Sequence, residues 1–139
     1  AIFEDLHHPE IGILCAGGRV LSGSDLAAMD SVPALVFFNA CESGRLRQAV
    51  KPLRQLDRSV GFAEAFLRGG VANFIGTWWP VSDTAAAAFA TTLYRDLAKG
   101  QSIGAALNAS RSAVRELPSA DWANYLHYGS YDFTLKAER

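Results

Sequence analysis

Apolar residues are distributed along this chain in two different rhythms. In the amino-terminal half they come as short unbroken runs: Ile11 to Cys15, Ala34 to Phe38 and Val71 to Thr77. Runs of this length, rich in β-branched and aromatic types and ended by turn residues, predict strands; the central one, Ala34 to Phe38, is expected to be buried on both faces. Gly17-Gly18 is a tight-turn signal, so Arg19 to Leu21 is predicted to return beside Ile11 to Cys15 as a small hairpin. Ala1 to Pro9, with acidic residues, paired histidines and a Pro but no periodicity, reads as a loop.

Helical spacing takes over further on. Ser22-Gly23-Ser24 supplies a cap for a short helix over Asp25 to Met29. Phe62, Ala65 and Phe66 predict a helix over Gly61 to Arg68, closed by Gly69-Gly70 and followed directly by the strand Val71 to Thr77. Helix then strand across a short link is the return half of an α/β crossover, which implies a mainly parallel sheet. Ser82 or Asp83 caps the next helix, whose Phe89, Leu93 and Leu97 fall four apart and which ends at Gly100. Ser102 opens another, with Ile103, Leu107, Ser110 and Val114 on one stripe, stopping before Pro118. Both stripes need cover, and the sheet is the surface this reading provides. Leu126 to Leu135 alternates as an edge strand. The fold class is α/β, and with no repeat, low-complexity tract or linker the 139 residues form a single domain (1–139).

Composition alters this picture little. The chain is 50% hydrophobic and 19% charged, which is ordinary for a globular protein, and its formal net charge of −1 exerts no general pull on nucleic acid or anionic lipid. No run approaches the roughly 20 apolar residues of a membrane span, and the first residues lack a secretion signal. A cytoplasmic location with both Cys15 and Cys41 reduced is the default. The absence of an initiating Met suggests a piece of a larger polypeptide. No Cys or His cluster has metal-ligand spacing and the glycine pairs form no phosphate loop, so neither metal nor cofactor is expected. Arg45 to Arg58 holds five cations and a single Asp57. It reads as a solvated loop or as a local attractor of an acidic partner.

Candidate chemistry gathers at Cys41. It follows the run Ala34 to Phe38, at the strand end where open α/β sheets bind ligands. A thiol there is either a nucleophile or one more buried small hydrophobe. Asn39-Ala40-Cys41-Glu42-Ser43-Gly44 resembles the Ala-Cys-x-x-Gly motif of caspase-like cysteine peptidases. Gly76-Thr77-Trp78-Trp79-Pro80-Val81-Ser82-Asp83 and Asp121-Trp122-Ala123-Asn124-Tyr125-Leu126-His127-Tyr128-Gly129 resemble two further hallmarks of the CHAT subgroup, often found behind tandem helical repeats. The three motifs occur in the family's order between about Ile11 and Phe133.

The resemblance implies a caspase-like three-layer αβα fold with a mostly parallel central sheet. It also implies cysteine endopeptidase activity on a protein or peptide substrate, with Cys41 as nucleophile and its amide in the oxyanion hole. The family's base, a His followed by Gly, is unmatched here, and the alignment puts it just upstream of Ala1. His7, His8 and His127 are the only imidazoles present. By the same resemblance, Trp79 and Val81 would form the wall for an extended peptide, and Trp78 beside them belongs either to the wall or to the core. Asp83 either reads a basic P1 side chain or caps its helix. Asn39 stands where basic-specific relatives carry an acid. A helical-repeat domain in the same polypeptide is the partner implied, with no direct nucleic-acid or membrane partner. The alternative is an inactive caspase-like module that serves as a binding or signalling domain.

Overall fold

A computed structural model of the chain describes residues 2–4, 11–14, 20–22, 25, 29–39, 63 and 66–135. Cys15, Cys41, His7, His8 and the basic stretch Arg45 to Arg58 lie outside the described residues. Among those described, strands β1 (Ile2–Glu4), β2 (Ile11–Leu14) and β3 (Val20–Ser22) form one sheet, and β4 (Leu35–Phe37), β5 (Asn73–Thr77) and β6 (Tyr125–Tyr128) form another. Two long helices, α1 (Asp83–Ala98) and α2 (Ile103–Arg115), lie between β5 and β6. The chain is therefore mixed α/β. It divides into two compact units, Ala1–Pro80 with Leu126–Tyr128, and Val81–Tyr125 with Gly129–Arg139.

In the first unit the predicted hairpin is present, β2 pairing antiparallel with β3 through Ile13↔Leu21. Residues 2–4 correct the loop reading: β1 pairs with β2 through Ile2↔Ile13. Three residues are too few to show a period of two, so only the partner strand reveals them. The crossover is also present, since β4 and β5 run parallel with Leu35↔Asn73 and Phe37↔Ile75 in register.

Of the described strands β4, β5 and β6, the one with a neighbour on each side is β5. Leu35, Val36 and Phe37 are each only half-buried, whereas Asn73 to Gly76 are buried throughout. Physically, a strand with neighbours on both sides loses solvent from both edges, and a buried run of five apolar residues cannot declare that from sequence. Beside the sheet, residues 63 and 66–68 are helical. The Val71 amide donates to the Phe66 carbonyl and the Gly70 amide to that of Leu67, the Schellman closure expected at Gly69-Gly70. Gly70 sits at φ 97°, where a side chain is strained. The stop turns Phe66 and Val71 into one core with Ala63 and Phe74, flanked by Val36, Phe38 and Tyr128. The Phe66 and Phe74 rings lie 5.4 Å apart.

The second unit is built on α1 and α2. Their buried rows, Ala85, Phe89, Leu93 and Leu97 on one and Ile103, Ala106, Leu107, Ser110 and Val114 on the other, follow the spacing read from sequence. The helices pack against each other, so each gives the other cover that the sequence reading assigned to the sheet alone. A four-residue connection makes them neighbours. Gly100, at φ 78°, and Gln101 close α1 by donating to the carbonyls of Leu97 and Asp96. Tyr125 is fully buried, its ring stacked on Phe89 at 3.4 Å between centroids.

The single long edge strand expected over Leu126 to Leu135 is instead two pieces. β6 ends at Tyr128, Gly129 takes φ 135°, and the chain returns to touch α2 through the bridge Ser102↔Thr134. The amides of Ile103 and Gly104 donate to the carbonyls of Phe133 and Tyr131. The first donors of α2, which its own helix cannot satisfy, thus dictate where the last segment goes.

Candidate active site

Parallel pairing of β4 and β5 decides where the sequence motifs emerge. The Phe38 amide donates to the Ile75 carbonyl at 2.7 Å, which carries the pairing past the end of β4. Asn39 follows, half-buried. Thr77, Trp78 and Trp79 leave β5 in the same direction. The stretch running into Cys41 and the Trp78-Trp79 pair therefore depart from the same edge of one sheet, where loops are free to carry chemistry. Cys41 itself lies outside the described residues. Trp78 is half-buried and Trp79 is 40% exposed, so the two rings divide between packing and surface.

The remaining residues of that motif belong to the second unit. Val81 is buried, at 6% exposure. Ser82, not Asp83, caps α1: at φ −66° and ψ 147° its hydroxyl accepts the Ala85 amide at 3.3 Å. Asp83 is the first helical residue and is exposed. Its negative charge suits the positive end of α1, yet it is not the cap that competed with its proposed role in binding.

His127 is placed away from this edge. Its Nε2 lies 3.1 Å from Oδ1 of Asn73, whose Nδ2 donates to the Ala34 carbonyl at 3.4 Å. With the amide so oriented, its Oδ1 faces the ring. Asn73 opens β5 and is level with Leu35, four residues before Asn39. At about 3.3 Å per residue, that separates the His127 contact from the level of Asn39 by about 13 Å. A base must reach within hydrogen-bonding distance of the proton it takes.

The sequence reading missed Asn73, though the signal was there. An amide inside an otherwise apolar buried run needs a partner, because burying it unpaired is costly. Among the described residues no buried side-chain nitrogen or oxygen is left without one. Asn73→Ala is expected to remove the His127 partner and cost about 1–3 kcal/mol, read as a lower urea midpoint at unchanged slope.

Asp121, in the third motif, likewise has a partner that the sequence does not show. It opens the 3-10 turn Asp121–Ala123, and its Oδ2 accepts from the Ser82 hydroxyl at 2.9 Å and the Ser82 amide at 3.4 Å. Among the described residues no cluster of three or more His, Cys, Asp or Glu could hold a metal, and no helix is long and apolar enough to cross a membrane.

None of the curated proteins is matched by this chain. The family model described as CHAT domain, in contrast, matches residues 2–130, from β1 through the turn after β6. That span covers all three motifs and nearly the whole sequence, so the chain belongs to the CHAT-domain family, which is caspase-like and peptidase-related.

Proposed function

We propose that this chain is the nucleophile-bearing part of a caspase-like cysteine endopeptidase domain, with the three-layer αβα arrangement that family membership implies. The observation that supports the reading best is the parallel register of β4 and β5, which sends Asn39 toward Cys41 and Trp78-Trp79 off one sheet edge. Residues 1–139 belong to one such domain in this reading, joined in its polypeptide to helical repeats and working in the cytoplasm, where a thiol stays reduced.

Cys41 is the nucleophile. An ordinary cysteine is only a few per cent thiolate at neutral pH, so its proton passes to a His followed by Gly that precedes Ala1. The thiolate attacks the scissile carbonyl, and the amides of Cys41 and of that Gly stabilise the oxyanion. On collapse the carbon–nitrogen bond breaks and the imidazolium returns the proton to the leaving amine. Water, deprotonated by the same His, then hydrolyses the thioester and regenerates the thiol. By family resemblance Trp79 and Val81 are the residues that receive an extended peptide, and Asn39 and Asp83 those that select its P1 side chain.

The test is covalent labelling by a thiol-directed peptide inhibitor with Arg at P1, applied to the chain together with the segment that carries the His-Gly pair. Labelling at Cys41 that is lost in Cys41→Ala and weakened in Asp83→Asn is expected. No labelling of the folded protein would sink the peptidase reading and leave a binding or signalling module in its place.

A further inference from the structure

Glycine is a poor choice for the interior of a buried strand, because it loses the most chain entropy on folding and packs no side chain. It belongs where another group must come close to the backbone. Gly76 is buried within β5. A Cβ built on it would lie 2.7 Å from Cε1 and 3.2 Å from Cζ of Phe74. Residues two apart on a strand share a face, so the Phe74 ring lies along β5 toward its carboxyl end and covers Gly76.

That ring is closely held. Phe74 is 4% exposed, with the Phe66 ring 5.4 Å away and the Phe38 ring stacked on it at 6.5 Å with 20° between the planes. Phe37 pairs with Ile75, so Phe38 and Gly76, the next residues, are level on adjacent strands. At Phe38 the pairing of β4 reaches its end: its amide donates to the Ile75 carbonyl, and Asn39 and then Cys41 follow in the chain. Moving the Phe74 ring edge from 2.7 Å to ordinary contact at 3.4 Å is a shift of about 0.7 Å, which close-packed neighbours pass on to one another.

We infer that Gly76 is a positioning residue for the proposed active site. Its missing Cβ seats the Phe74 ring, and that ring fixes Phe38 and so the place where the chain leaves β4 toward Asn39 and Cys41. The inference rests on the proposed use of Cys41 as nucleophile. A role in packing alone would lower the melting temperature and leave the kinetics of the folded protein unchanged, whereas a positioning role appears in kcat/KM.

Steady-state hydrolysis of peptides with Arg at P1 separates the two, using the chain together with its His-Gly segment at a temperature where circular dichroism shows every variant folded. Gly76→Ala is expected to lower kcat/KM about ten- to hundred-fold, the scale of a misplacement approaching 1 Å. The loss should depend on the ring. Leucine at position 74 keeps atoms out to the δ position, where Phe74 Cδ1 stands 3.8 Å from the added Cβ, and lacks the ε and ζ atoms that meet it. In the Phe74→Leu background Gly76→Ala should therefore change kcat/KM less than about two-fold. If Gly76→Ala does not fold, Phe38→Leu carries the test, with an expected fall of about ten-fold. Unchanged kcat/KM in Gly76→Ala or, failing that, in Phe38→Leu would overturn the inference and leave the peptidase reading intact. Equal losses from Gly76→Ala in both backgrounds would do the same. A wild-type protein that hydrolyses no peptide overturns both.

Discussion

Residues 1–139 expressed by themselves are expected to hydrolyse peptides at least about a thousand-fold more slowly than the same residues supplied with the segment carrying the His-Gly pair. An ordinary thiol is mostly protonated at neutral pH, so Cys41 needs an imidazole to take its proton. His127 is ill-placed for this, because its contact with Asn73 lies at the amino ends of β4 and β5, while the chain runs on to Cys41 from the carboxyl end of β4. Half of the proposed oxyanion hole also comes with the Gly of that pair. The measurement is turnover of a peptide panel with varied P1, with the segment added in trans and then in cis. Full turnover by residues 1–139 alone would show that His7, His8 or His127 is the base, and the placement of the dyad would fall with it.

Phe89→Ala is expected to cost about 3–5 kcal/mol, and Leu93→Ala or Leu107→Ala about 2–5 kcal/mol. Phe89 and Leu93 are wholly buried and Leu107 is 3% exposed, so each truncation leaves a cavity that close-packed neighbours refill only in part. Phe89 also loses its stack on Tyr125, worth about 0.5–1.5 kcal/mol of that total. Thermal melts followed by near-ultraviolet circular dichroism should fall by roughly 10 °C for Phe89→Ala. Thr91→Ala, on the same helix but exposed, should stay within about 0.5 kcal/mol of wild type. Equal losses at Phe89 and Thr91 would contradict the buried face of α1.

Much of this was written locally in the chain. The four-residue spacing of Phe89, Leu93 and Leu97 marks the buried row of α1, because a helix returns to the same face after that interval. Gly69-Gly70 and Gly100 announce helix ends because the left-handed backbone there suits glycine. Gly17-Gly18 between apolar runs identifies the hairpin, and three ordered motifs identify the family. Each of these depends on residues a few positions apart, or on a pattern of residue types, and neither requires knowing what lies across the fold.

Only tertiary structure decided the rest. β1 is invisible without β2 beside it, and an apolar run does not say which strands flank it; of the described strands β4, β5 and β6, β5 is the one between two neighbours. Sequence offered Ser82 and Asp83 equally as the cap of α1; the backbone chose Ser82 by aiming its hydroxyl at the Ala85 amide. The two polar contacts that matter most at the site's surroundings join residues 54 and 39 positions apart, His127 with Asn73 and Ser82 with Asp121. Hydrogen bonds act over about 3 Å and carry no trace along the chain, so a donor's partner becomes known only when folding brings it into reach.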